Sequence, residues 1–224
     1  MSELFPELEP LSEEMFLNTE RRCPVVLLLD SSSSMTAEIE KVNLGLKDLK
    51  ADLMSDPLAS QRVEIAIITF GPVNLVHDFV SVDLWVPPRL RAAGNTPMGE
   101  ALQASIKLIK ERKRAYREMG IPYYRPWIWL VTDGEPTDKW QDSMDVVQSE
   151  VRGGGLELFT IGTDGANFQI LSRIGHPRSP IRLREAHYRE MFVWLSQSLK
   201  PVSKSTPGSK LELPSPTTWG EITT

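Results

Sequence analysis

The chain has 224 residues, of which 25% are charged and 41% hydrophobic, and it carries a formal net charge of −5. That length suits one large core, or one domain with a tail, and the composition is ordinary for a globular protein. An acidic balance argues against nucleic acid, which needs a basic stripe, and no apolar run approaches the roughly twenty residues of a membrane-spanning helix.

The acidic, proline-broken start "MSELFPELEP" is unlike a signal peptide, and the single cysteine, Cys23, requires no oxidising compartment. A cytoplasmic location is therefore expected, with neither membrane nor nucleic acid as partner. Residues 1–20 read as an N-terminal extension. "PVVLLLD" (Pro24 to Asp30) is short, continuous and apolar, as a strand buried on both faces requires. After the run "DSSSSM", the spacing of Ile39, Val42, Leu46, Leu49 and Leu53 predicts an amphipathic helix that Pro57 stops. "RVEIAIITFG" is a second strand, and "GP" turns it into "VNLVHDFV" as an antiparallel hairpin.

A helix is predicted from Pro97 to Met119, with the proline at its first position. Its basic run, Lys110 to Arg117, reads as a solvated face or a site for an anionic partner. "PWIWLVTDG" is a third buried strand, followed by a helix over Asp138 to Arg152 that stops at "GGG". "LELFTIG" is another strand, "SPIRLRE" a last edge strand, and Tyr188, Met191, Phe192, Leu195 and Leu199 mark a C-terminal helix. From Pro201 the composition turns to Ser, Thr, Pro and Lys, so 201–224 is expected to be a tail with little structure of its own.

Strands alternating with helices predict an α/β fold: a doubly wound, mostly parallel sheet with one short antiparallel edge strand and helices on both faces. In such sheets ligands bind beyond the carboxyl ends of the strands. Asp30 and Asp133 fall there, and Asp30, Ser32 and Ser34 alternate so that their oxygens can face one point. Thr96, in "GNTP", adds another hydroxyl. All five groups are hard oxygens, which suits Mg²⁺, or else Mn²⁺ or Ca²⁺, rather than zinc. Taken singly, Ser34 and Thr96 are equally good helix N-caps, and Asp133 is equally good turn chemistry.

D-x-S-x-S after an apolar strand, a threonine in "GNTP", and "TDG" after another apolar strand together resemble the von Willebrand factor A (VWA) domain. The resemblance covers roughly 20 to 200, giving a domain over 21–200. It implies a metal-ion-dependent adhesion site with Asp30, Ser32, Ser34, Thr96 and Asp133 as its metal residues. Ser33 stands where many members have glycine. "AGNTPMGEAL" and "TDGEPTD" look most like small bacterial members associated with tellurite resistance, which implies a phosphatase or kinase system as the setting. The resulting expectation is a binding module, not an enzyme, whose cation engages an Asp or Glu carboxylate on a partner protein.

Catalytic alternatives fit less well. A haloacid-dehalogenase-type phosphatase needs a second acid two residues after the first, where Ser32 stands, although a metal-dependent phosphohydrolase of another type stays open. "DSSSSM" is no nucleophile elbow, no glycine-rich phosphate loop follows the strand, and His77, His176 and His187 fall in a hairpin, a loop and a helix start. Glu100, Glu135 and Asp138 are expected to be solvated.

Overall fold

The computed structural model describes residues 18–223; residues 1–17 of the expected N-terminal extension lie outside them. Seven strands form one sheet: β1 (Cys23–Asp30), β2 (Val63–Phe70), β3 (Val73–Ser81), β4 (Trp127–Thr132), β5 (Glu157–Gly162), β6 (Ile181–Leu183) and β7 (Gly220–Ile222). Their order is β3-β2-β1-β4-β5-β6-β7, parallel from β2 to β6, with β3 and β7 antiparallel at the two edges. Chain order reverses across β1, and the adjoining carboxyl ends of β1 and β4 form the crevice where such sheets bind ligands.

Period-two alternation splits the central strands between two cores. Val25, Leu27 and Leu29 face one side with Trp127, Trp129 and Val131, while Val26 and Leu28 face the other with Ile128 and Leu130. Helices α1 (Ile39–Met54) and α6 (Tyr188–Lys204) cover the first side. Helices α3 (Met98–Glu118), α4 (Met144–Arg152) and α5 (Phe168–Gly175) cover the second. A short helix, α2 (Pro57–Arg62), fills the turn after α1, capped by the Asp56 carboxylate on the N–H groups of Leu58 and Ala59.

Several elements differ from expectation. The stretch from Asp138 opens as a 3₁₀ turn at Trp140–Ser143 before α4 begins. Helix α5 was not expected at all; Asn167 caps it by accepting from the N–H of Ile170. β6 is not an edge strand, because β7 lies beyond it. The expected tail is ordered from Pro201 to Thr223. Pro201 lies inside α6, and the chain then packs back along the molecule to bury Trp219 completely and pair Gly220–Ile222 with β6. Trp219 joins Trp129 and Trp194, with ring centroids 6.2 and 5.7 Å away, so burial of one large aromatic offsets the ordering cost of a polar segment.

The basic run on α3 is in part a solvated face, since Lys110, Arg114 and Arg117 stay exposed, and in part tied into the fold. Arg112 turns inward to Glu64 at 2.8 Å, Lys110 pairs with Glu150 at 2.9 Å, and Lys113 donates to the Gly155 carbonyl. Glu64 also takes Arg22 at 2.9 Å and the Tyr116 hydroxyl, so this buried carboxylate at the amino end of β2 is neutralised from within the fold.

His77 on β3 is held between two partners. Its Nδ1–H donates to the Asp78 carbonyl at 2.8 Å, and its Nε2 accepts from the Trp85 indole at 2.7 Å. That arrangement requires the neutral ring, and burial holds its pKa below the ordinary value of 6.5, against the pull of Asp78. A depressed folded-state value means the unfolded chain binds the proton more readily. The associated stability is therefore complete above 6.5 and is lost as pH falls through the folded value. Urea unfolding between pH 8 and 5 is expected to show wild type losing more stability than His77→Phe; parallel pH profiles would refute this.

Candidate functional site

Three loops meet beyond the carboxyl ends of β1 and β4, and each is tied to the other two. The serine loop is tied to the "GNTP" loop by two backbone bonds, Ala93 N–H to Ser31 carbonyl at 2.7 Å and Ser33 N–H to Gly94 carbonyl at 3.0 Å. The "GNTP" loop is tied to the "TDGEPTD" loop through Thr137, which donates its N–H to the Thr96 carbonyl and accepts the Thr96 N–H on Oγ1. The serine loop is tied to the "TDG" turn by side chains: the Thr132 hydroxyl donates to Asp30 Oδ2 at 2.5 Å, and the Ser34 hydroxyl to Asp133 Oδ1 at 2.7 Å.

Two glycines permit this packing. A Cβ on Gly71 would lie 2.6 Å from the Ser31 carbonyl and from Ala93 O, so only glycine lets β2 end against the serine loop. Gly94 has φ +73, a conformation side chains disfavour. Ser33, by contrast, is not among the described residues with positive φ, so serine meets no backbone penalty where other members have glycine. Ser31 and Ser33 hold the neighbouring loop through their backbone groups.

The predicted site residues converge. Asp30 is 1% exposed; its Oδ1 accepts the Ser32 N–H at 2.8 Å. The Ser32 and Ser34 hydroxyls are 2.9 Å apart, so Ser32, Ser34 and Asp133 form one continuous chain of oxygens. Thr96 is buried, and its hydroxyl would be 3.8 Å from a Cβ placed on Gly134, which sets it beside the same turn. Burial raises the Asp30 pKa and the Asp133 charge raises it further; bonds from Ser32 and Thr132 pull the other way. Among the described residues no Lys or Arg pairs with Asp30 or Asp133.

The cap alternative does not hold for either hydroxyl. Ser34 bonds Asp133, and helix α3 makes no side-chain cap bond at its own N-cap residue. Asp138 does that work from the neighbouring loop, accepting from the N–H groups of Gly99 and Glu100 at 3.1 and 2.8 Å. It is thus not simply solvated, nor is Glu135, which accepts from Asn167 at 2.8 Å. Nor does a helix begin directly after Ser34: a 3₁₀ turn at Ser33–Ala37 intervenes, and α1 starts at Ile39. Sequence reasoning missed Thr132 and Thr137. Each is a hydroxyl inside the "TDGEPTD" stretch, but its partner lies on another loop.

The donor set fits a hard divalent cation: three hydroxyls and two carboxylates lacking a basic partner, graded from buried Asp30, Ser32 and Thr96 to half-buried Asp133 and exposed Ser34. No group of three or more His, Cys, Asp or Glu forms a metal-holding cluster among the described residues, so any such site is built on hydroxyls.

An open α/β sheet with a hydroxyl and carboxylate cluster at its switch point defines the class of protein. The family model described as "von Willebrand factor type A domain" matches residues 25–191, and the chain belongs to that family. Solved structures share the fold. A von Willebrand factor type A protein from Catenulispora acidiphila is 17% identical with TM-score 0.62, covering 80% of this chain and 43% of its own. The pilus adhesin SpaC from Lactobacillus rhamnosus GG, in its open conformation, is 14% identical with TM-score 0.63, covering 84% and 31%. Proximal thread matrix protein 1 from the mussel byssus is 16% identical with TM-score 0.55, covering 81% and 49%. This chain thus spans less than half of each. No curated protein matches the sequence.

Thr132 supports both Asp30 and the turn, since its oxygen also accepts the Gly134 N–H at 3.2 Å. Thr132→Val keeps the shape and orphans both groups, so a loss of about 1–3 kcal/mol in urea unfolding is expected. No change would show that Asp30 does not depend on it.

Proposed function

We propose that this domain is a cation-dependent protein-binding module whose site is the cluster of Asp30, Ser32, Ser34, Thr96 and Asp133. The observation that carries this reading is the continuous chain from Ser32 through Ser34 to Asp133, beside a buried Asp30 with no basic partner. Ser32, Ser34 and Thr96 would hold the ion by their hydroxyl oxygens and Asp133 by its carboxylate. Asp30, with each oxygen already accepting a bond, would orient Ser32 and add charge. A bound Mg²⁺, or Mn²⁺ or Ca²⁺, supplies the positive charge that makes the mouth attractive to a carboxylate. Ser34 and Asp133 face outward, so a partner's Asp or Glu can reach that side.

The binding unit is the expected domain 21–200 together with the residues that follow to Ile222, which complete α6 and add β7 to the sheet. The resemblance to members associated with tellurite resistance supports a partner in a bacterial stress-response or phospho-signalling system, one with a phosphatase or kinase. The single, buried Cys23 forms no disulfide within the chain, which supports a cytoplasmic setting; no helix among the described residues is long and apolar enough to cross a membrane. Nothing in the fold or among the similar proteins favours the alternative of a metal-dependent phosphohydrolase.

Calorimetric titration with Mg²⁺ is expected to give saturable heat with wild type and little with Asp133→Ala. Equal heats from both would sink the site. Any partner recovered in Mg²⁺ is expected to be released by EDTA; retention in EDTA would remove the cation from the interface.

A further inference from the structure

The segment that follows α6 passes over the amino ends of β4 and β5, at the opposite end of the sheet from the three site loops. It is pinned at two points. The Tyr124 hydroxyl donates to the Ser205 carbonyl at 2.6 Å, and the Trp194 indole N–H to the Pro214 carbonyl at 3.1 Å. Between those points, Lys210 to Leu213 make no hydrogen bond among the described residues. The segment thus bridges the strand ends as a strap, and a groove of about 990 Å³ lies between it and the sheet.

Three aromatic rings line the inner wall of this groove. The centroids of Trp127 and Phe159 are 4.8 Å apart, and those of Phe159 and Trp194 6.4 Å apart. Clefts of roughly 300–1,000 Å³, walled by apolar side chains with a few convergent polar groups, are the usual form of a small-molecule site. Here the polar groups converge on Glu157. Arg125 reaches its Oε1, and Arg178 its Oε2 at 3.0 Å, while the Arg178 guanidinium carbon lies 4.3 Å from the Phe159 centroid. Two guanidiniums on one carboxylate leave a positive charge uncompensated and planar N–H donors to spare, and both side chains are about half exposed. Lys210 on the strap adds a third base and Glu212 a second acid, so the groove carries an excess of one positive charge in a chain of net charge −5.

We propose that this groove is a second binding site, one for an amphiphilic carboxylate. The apolar body lies along Trp127, Phe159 and Trp194, and the carboxylate takes the spare donors of Arg125 and Arg178 beside Glu157. The size of the groove favours a long body, since a compact acid fills little of a space at the top of the usual range. The arginine forks favour a carboxylate, because their geometry matches its two oxygens and they already hold one. This site shares no residue with the cation cluster and goes beyond the function proposed for it.

The experiment is a titration of the full chain with decanoate, read by tryptophan fluorescence in EDTA so that no divalent cation takes part. Wild type is expected to bind decanoate saturably and decan-1-ol at least about tenfold more weakly, since the alcohol lacks the charge that strengthens a hydrogen bond to arginine. Arg178→Gln is expected to weaken decanoate binding by a similar factor. Val202→Phe adds bulk at a half-buried position of the groove wall and is expected to weaken it while leaving urea unfolding unchanged. No saturable signal with decanoate, or equal affinity for decanoate and decan-1-ol, overturns the proposal. Wild-type affinity in either folded variant also overturns it, by placing the probe elsewhere; if Arg178→Gln does not fold, Val202→Phe decides. A synthetic acidic peptide that binds where decanoate does not would assign the groove to a protein partner and overturn the proposal as well.

Discussion

A carboxylate at the end of a central parallel strand has lost most of its water, and something in the fold must compensate for that loss. Asp30 is in this position, and the groups around it follow from the need. Its two oxygens draw in the Ser32 N–H and the Thr132 hydroxyl, which fixes the serine loop against the end of β4. Once that loop is fixed, Ser34 can reach Asp133, and the backbone bonds to Ala93 and Gly94 bring the "GNTP" loop alongside. The three loops therefore constrain one another pairwise, and no one of them could move without releasing bonds to both neighbours.

The two ends of the sheet handle buried negative charge in opposite ways. At the amino end of β2, Glu64 has Arg22, Arg112 and Tyr116 around it, an arrangement closed in itself. At the carboxyl end, the Asp133 charge adds to the cost of charging buried Asp30, with hydroxyls and amides but, among the described residues, no basic side chain for relief. Dipoles alone are a poor substitute for an opposite charge when two carboxylates share a site. The fold thus supplies its own counter-ions where the charge is structural and leaves the charge short of them at the edge where sheets of this kind bind ligands. That asymmetry separates the two buried acids more clearly than their burial does, since both are almost completely enclosed.

What could be read from the sequence follows from how local each signal is. β1, β4 and α1 carry their own patterns, continuous for the doubly buried strands and three-four spaced for the helix, so their positions needed no tertiary information. Helix α5 is only eight residues long, and its apolar positions Ile170, Leu171 and Ile174 make sense only against the face that receives them. β7 has three residues, "GEI", and becomes a strand through pairing with β6 and the anchoring of Trp219, neither visible in a Ser- and Pro-rich stretch. The five residues of the proposed site stood out because they lie in motifs with a fixed order. Thr132 and Thr137 lie in the same stretch, but their roles could not be read, because each depends on a partner from a different loop.

The ambiguity between a capping hydroxyl and a ligating hydroxyl shows how the missing information enters. Both roles require a Ser or Thr just before a helix, so the local sequence cannot separate them. The deciding fact is who satisfies the helix. Asp138 accepts the first N–H groups of α3 from another loop, which relieves Thr96 of that duty. The 3₁₀ turn after Ser32 makes no side-chain cap bond and moves the start of α1 several residues away, which frees the serines. Hydroxyls released from the backbone, yet held in place by it, can be pre-organised toward one point at little further entropic cost. The arrangement of caps therefore determines which hydroxyls are free for the proposed site, and a residue as distant in sequence as Asp138 belongs to the reason Thr96 is one of them.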